Sequence, residues 1–379
     1  MSFALSSSAY PTRRNPKVMI AAISLIVVIS VATYGILVWQ EPKRVLTVYT
    51  YDSFMYWGND TSTIDDRVFG PFEQQYGVNV EIVRLDTDAN GVVSKLVAES
   101  ANPVADVVIG IDNILVLQNA AKSILTPYTS PNLEFVNTSI VNALDPTHYV
   151  TPFDFGLVTL VYRNSELNTT SNPELNNLTF SNLAEMASML VTENPHLSSP
   201  GLAFLLSEIA VYEKLLGQEW TDWWQLVKGK INVQEGWSQA WNVWDSDSAR
   251  KLLVSYGTDP AYDASYTGAA PDTAVAPILC NGEQYAWMQV EGMGLVKNGP
   301  NPSLGKAFID YCLTPAVQDY VALNQWMFPV NANATLDPVF NYALHPQDVV
   351  LLNSLLSASE ISANLTSWLD QYDQIMIGS

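Results

Sequence analysis

Apolar positions along this chain follow the two-residue period of strands and the 3.6-residue period of helices in alternation. Val45–Tyr51 (VLTVYTY) interleaves apolar with small polar residues and predicts an opening strand. Asp65–Tyr76 predicts a helix, Val78–Leu85 a strand, and Gly91–Ser100 a second helix. Val104–Ile111 (VADVVIGI) is a nearly unbroken apolar run bounded by Pro and Asp, as expected of a strand buried on both faces. A helix over Ile114–Lys122 follows. Strands separated by helices in this way predict βαβ units and a parallel sheet.

A second α/β group extends from about Gly156 to Tyr262. It holds strands at Gly156–Tyr162, Met189–Thr192 and Leu252–Tyr256, a long helix after Pro200–Gly201, and helices near Trp220–Lys228 and Trp237–Asp247. Strands near Gln284–Val296 come next, then helices at Leu304–Leu313, Pro315–Asn324, Asp348–Leu356 and Ala363–Met376. The expected architecture is α/β with two lobes. One lobe takes 45–153 with about 265–320, the other 154–262 with about 323–379, and the boundary falls near Tyr149–Asp154. The helical spacing of Trp220, Trp223 and Trp224 marks a packing face, so these three are expected in the core.

The N-terminus changes the picture of where such a fold resides. Val18–Trp39 is 22 residues without a charge, enough at about 1.5 Å per residue to cross a hydrocarbon core of about 30 Å. Arg13, Arg14 and Lys17 precede it, which assigns 1–17 to the cytoplasmic side and everything after the span to the outside. The expectation is an uncleaved membrane anchor, with a cleaved signal segment as the alternative, ahead of an extracytoplasmic domain. Six N-x-S/T triplets, at Asn59, Asn137, Asn168, Asn177, Asn333 and Asn364, fit an outward-facing and glycosylated surface.

Charge narrows the partners. Of 17 basic and 38 acidic residues, five and one precede Val45, so the remainder carries 12 basic against 37 acidic, a net of −25. A nucleic-acid backbone is bound through lysine and arginine, so nucleic acid is excluded as a partner. The acidity serves solubility or attracts a cation. Cys280 and Cys312 allow at most one disulfide, and His148, His196 and His345 follow no ligand spacing, so no metal or cofactor is expected.

Catalytic signatures (GxSxG, a P-loop, HExxH, a dinucleotide fingerprint) are absent from the sequence, and no catalytic residue is assigned. Aromatic and acidic residues stand instead at predicted strand ends and loops: Tyr49, Tyr51, Asp52, Trp57, Asp112, Asp154, Trp237, Tyr256, Asp259, Tyr262 and Trp326. Ligands of open parallel sheets bind beyond the carboxyl ends of strands. Asp106, inside a buried run, is expected to satisfy backbone groups.

Seven segments in order resemble the thiamine-binding proteins of ABC importers: VLTVYTYDSF…WG, ADVVIGIDN, TPFDFGLVTLVY, SSPGLAFLL, EGWSQAW, LLVSYGTDPAY and NQWMFPV. The resemblance implies a type II periplasmic-binding fold that closes on its ligand, with thiamine or a thiamine phosphate as ligand and an ABC permease as partner. Carried over by position, it implies ligand contacts at Tyr51, Asp52, Ser53 and Trp57; at Asn90 and Gly91; at Ser198 and Ser199; at Trp237; at Tyr256, Gly257, Thr258, Asp259 and Tyr262; and at Trp326. Asn90 stands where the family has an acid, and Asp259 where it has a small hydroxyl residue. The family's early Cys-x-Cys is missing. Two other readings stay open: a binding protein for a polyamine or ferric iron, and a thiamine-degrading enzyme with Cys280 as nucleophile.

Overall fold

Two 14-residue strands running antiparallel at the centre of the sheet set the architecture. The computed structural model describes residues 43–377; the expected membrane span, Val18–Trp39, lies outside them. Among the described residues, no helix is long and apolar enough to cross a membrane.

The chain opens with β1 (Arg44–Tyr51), α1 (Ile64–Tyr76), β2 (Val78–Leu85), α2 (Ala89–Ala98) and β3 (Val107–Asp112). The long β4 (Val150–Arg163) then carries it to β5 (Leu190–Glu193), α3 (Ser199–Ile209), α4 (Thr221–Val227), β6 (Asn232–Gln234), α5 (Trp237–Ser246), β7 (Leu252–Tyr256), α6 (Asp259–Thr267) and β8 (Thr273–Ala276). The long β9 (Glu283–Val296) returns, followed by α7 (Pro302–Cys312), α8 (Pro315–Gln325) and α9 (Ala358–Met376). The sheet order is β2-β1-β3-β9-β4-β7-β5-β6. β1 and β3 pair in parallel at one end, and β7, β5 and β6 pair in parallel at the other. Among the described strands, β4 and β9 run through both halves.

Each half has its own core, giving two lobes. The first core includes Leu46, Val48, Phe72, Val107, Phe153, Val290, Met293 and Phe308. The second includes Leu160, Leu190, Phe204, Trp220, Trp223, Trp224, Val254, Ala276, Ile278 and Trp368. The long strands change cores at matching positions: Leu157 packs in the first and Val158 in the second, and opposite them Met288 and Trp287 do the same. A register shift between Glu291 and Gly292 sets Pro152 and Asp154 on either side of a bulge, where a proline is tolerated because a ladder bond is already lost.

Two expected helices are not formed as such. Ile114–Lys122 is a 3-10 turn, Leu115–Leu117, and a short helix, Asn119–Ser123. Asp112 Oδ1 accepts from the Ile114 and Leu115 amides, 2.7 Å each, and this local turn competes with helix continuation. Asp348–Leu356 is two 3-10 turns around the strand pair Val350–Leu351. There Asn353 bonds both the amide and the carbonyl of Met288 in β9 (2.7 and 2.9 Å), a tertiary contact that overrides apolar periodicity. The indole trio of α4 and its N-cap is buried as expected. Asp106 likewise accepts from the Thr47 amide and from Asn301.

Candidate ligand-binding cleft

Four helices begin at one cleft: α2 at Asp88, α3 at Ser198, α5 at Gly236 and α6 at Thr258. The cleft encloses about 700 Å³ of non-atom space, its mouth included. Its walls bring together nine of the residues singled out in the sequence: Tyr51, Ser53, Trp57, Ser199, Trp237, Tyr256, Asp259, Tyr262 and Trp326.

The aromatic members form a cage. Trp57 meets Trp237, Trp241 and Tyr262 edge-on, with ring centroids 5.1, 5.9 and 5.9 Å apart. Tyr262 meets Trp326 at 5.3 Å and 89°. These edge-on contacts hold the rings as one cluster lining the cleft. Three of the rings are fixed by a polar tip. Trp237 Nε1–H donates to Ser255 Oγ (2.9 Å), Tyr256 O–H to Gln289 Oε1 (3.2 Å), and Trp326 Nε1–H to the Trp57 carbonyl (2.9 Å). The Trp57 indole N–H is buried without a partner.

Trp326 holds φ +57, a left-handed conformation that a bulky residue adopts at a cost of about 1–3 kcal/mol. The tertiary structure over-determines it: its ring stacks on Phe340 at 6.1 Å and 3°, besides the bond to Trp57. Tyr51 is aimed in a comparable way. Its hydroxyl donates to Glu291 (2.9 and 3.1 Å) and accepts from Gln325 Nε2, whose Oε1 takes the Met55 amide at 2.6 Å. Under its ring lies Gly110 at φ +118, where a Cβ would fall 2.7 Å from Tyr51 Cδ1. Arg84 braces the loop between them by donating to Phe54 O and to both oxygens of Asp65, which leaves its charge outside the cleft.

The electrostatics are one-sided. Burial pushes the Asp259 carboxyl up to about 7, against the pull of the Ser255 hydroxyl and the Tyr256 amide. Burial raises Asp88 to about 6. Glu291 lies well above the carboxylate range through burial and then through Asp154. None of the described residues lining this cleft is Lys, Arg or His. An adjoining cavity, sharing Ser53, Asp88 and Trp237, adds Asp52, Asp86 and Glu235. Asp52 meets Ser238 Oγ there at 3.4 Å, a contact between the first strand's loop and α5.

Six expected site residues do not line the cleft: Asp52, which lines the adjoining cavity, and five others. Asn90 lies in the first turn of α2, and Gly91 packs so tightly on Thr87 that a Cβ would fall 1.9 Å from its Oγ1. Ser198 and Thr258 are fully buried at helix N-caps. Gly257 is held by backbone bonds to Leu157 and Leu344, 2.7 Å each. Residues not singled out also line it: Asp88, Ala89, Pro200, Trp241, Gln289, Glu291, Gln325 and Met327. Trp241 follows Trp237 by one helical turn, and Gln289 and Glu291 interrupt an apolar strand two residues apart, signals that were present in the sequence.

Comparison with known proteins follows the geometry. The profile of the bacterial extracellular solute-binding proteins matches residues 54–319. The chain is 29% identical to the thiamine-binding periplasmic protein of Escherichia coli K12, over 88% of this chain and 93% of that protein. It is 30% identical to the protein of the same name from Salmonella typhimurium LT2, over 86% and 93%. A solved periplasmic thiamin binding protein superposes with a TM-score of 0.73 at 28% identity, covering 88% of this chain and 96% of that one. A ferric binding protein from Campylobacter jejuni shares the fold, with a TM-score of 0.66 at 18% identity. The chain belongs to the family of bacterial extracellular solute-binding proteins.

Proposed function

We propose that this protein captures thiamine between its lobes and delivers it to an ABC permease. The carrying observation is the cage of Trp57, Trp237, Trp241, Tyr262 and Trp326 beside the buried carboxylate of Asp259, with no basic group in the walls. Thiamine joins a flat aminopyrimidine to a permanently cationic thiazolium. Indole and phenol faces attract the thiazolium by about 0.5–2 kcal/mol per contact, more as water leaves. The free Trp57 N–H offers a donor to a pyrimidine nitrogen, and Asp259 an acceptor for the exocyclic amine or a counter-charge. The names of the relatives point the same way.

The remaining expectations follow from this reading. The two lobes meet along β4 and β9, where Leu157 and Met288 belong to the first core and Val158 and Trp287 to the second. β4 and β9 form the hinge, and Trp57, Tyr51, Ser53 and Trp326 close against Trp237, Tyr256, Asp259 and Tyr262. An N-terminal anchor holds the domain on the outer face of the membrane, and the sequons at Asn59, Asn137, Asn168, Asn177 and Asn333, all exposed, carry glycans. The protein binds and does not turn over its ligand. Cys280 lies outside the cleft and burial pushes its thiol up, the opposite of an activated nucleophile. Of the two tyrosines an iron site would use, Tyr51 lines the cleft and Tyr49 does not. Calorimetric titration with thiamine and with spermidine tests the reading: saturable binding of thiamine supports it, and binding of spermidine alone overturns it.

A further inference from the structure

Helix N-termini that open on a cleft normally make it an anion site, because their free amides and dipoles face the ligand. Four such helices, each of nine residues or more, begin at this cleft. We infer that the cleft selects the unphosphorylated cation and rejects its phosphate esters, because carboxylates of the chain itself already stand at two of these helix ends, Asp88 at α2 and Asp259 at α6. The inference rests on the thiamine reading and narrows its ligand class.

The occupation can be followed end by end. At α2, Asp88 is the N-cap, and its Oδ1 accepts from the Ala89 amide at 2.9 Å. Its Oδ2 has no partner and faces the start of α5, where a Cβ on Gly236 would lie 3.4 Å away. At α6, Asp259 is the first residue, is 5% exposed, and has an unpartnered Oδ2 at the cleft wall. At α3, Ser199 donates its hydroxyl inward to Asp112, which is 1% exposed. The hydroxyl therefore does not stand free for a phosphate oxygen. Beyond Trp237, the adjoining cavity continues the same sign with Asp52, Asp86 and Glu235.

A phosphate ester brings a charge of about −1.5 to −2 and three strong acceptors to be satisfied. Neither cavity offers a described Lys, Arg or His to meet them. The donors that remain are neutral, and the two unpartnered carboxylate oxygens are acceptors competing for the same protons. The uncharged hydroxyethyl arm of thiamine meets no such conflict and can donate to a carboxylate. Discrimination of this kind comes from placing like charge against the wrong ligand, not from extra contacts to the right one.

Titrating the full-length protein at pH 7.5 with thiamine, its monophosphate and its diphosphate separates the possibilities. The monophosphate is expected to bind at least about tenfold more weakly than thiamine, and the diphosphate more weakly still. Asp88→Asn removes one carboxylate and narrows the ratio of thiamine to monophosphate affinity; Asp259→Asn does the same should the first variant not fold. Affinities for the three ligands within about threefold, or a ratio unchanged in both variants, overturn the inference and leave the thiamine reading intact. Failure of all three to bind overturns that reading itself.

Discussion

Asp154 of β4 lies directly opposite Glu291 of β9, so two carboxylates are buried side by side where the chain passes between lobes. Neither takes part in an ion pair among the described residues, and both oxygens of Asp154 lack a hydrogen-bond partner. Burial drives both well above the carboxylate range, and for Glu291 the neighbouring Asp154 adds to it. Two like charges buried opposite one another disfavour joint ionisation, and the pair is expected to share a proton.

The first prediction concerns pH and stability. An acid with a raised folded pKa keeps its proton in the fold where the unfolded chain has released it, so its contribution is full at low pH and lost as pH rises. Asp88 and Asp259 place the window between the ordinary carboxylate range, about 4, and about 7; Asp154 and Glu291 extend it upward. The ligand-free protein therefore melts at a higher temperature at pH 5 than at pH 8. Asp154→Asn flattens that slope and raises Tm at pH 8 by several degrees, about 1 kcal/mol or more. Parallel slopes for wild type and variant in scanning calorimetry would speak against the shared proton.

Ligand binding reverses the sign. A bound cation lowers the pKa of Asp259 from about 7, so binding near pH 7 releases protons. Affinity then falls as pH drops from 8 to 6, by up to about tenfold per unit for one linked group. Titrations in buffers of different ionisation enthalpy count the protons released. A heat independent of buffer would mean that no carboxylate is linked to the ligand.

Trp237 stands between Trp57 and Trp241 and is fixed through Ser255. Trp237→Ala removes one wall and is expected to weaken thiamine binding at least tenfold, about 1.4 kcal/mol or more. Unchanged affinity would show that the ligand lies elsewhere.

Gly110→Ala tests how Tyr51 is aimed. The added methyl meets the Tyr51 ring and the backbone is held at φ +118, so both stability and affinity should fall, the former by about 1–3 kcal/mol. Denaturant unfolding with a parallel titration reads both. Cys280→Ser, by contrast, should leave binding within about twofold of wild type, since the residue is outside the cleft. Consumption of thiamine by wild type that the variant loses would restore the enzyme reading.

Much of this was legible in the sequence because hydrophobic period reports burial directly. Val78–Leu85 and Leu252–Tyr256 were bounded to the residue, and the aromatic positions of the cleft other than Trp241 were found. What escaped was set by tertiary contact. The apolar run around Asn353 looked helical until β9 supplied the partner for its side chain. Asp88 gave no sign of facing a cleft, because only the tertiary fold brings its helix end to the strands β4, β9 and β7. Gly257 and Thr258 adjoin cleft residues in sequence, yet strand geometry turns them into the lobe.

Calorimetric titration of the purified protein with thiamine at pH 7.5 is the most direct measurement. Saturable binding of one molecule per chain with Kd below 1 µM, about −8 kcal/mol or stronger, is the predicted result. No saturable heat with thiamine, or saturation by spermidine alone, would contradict the account.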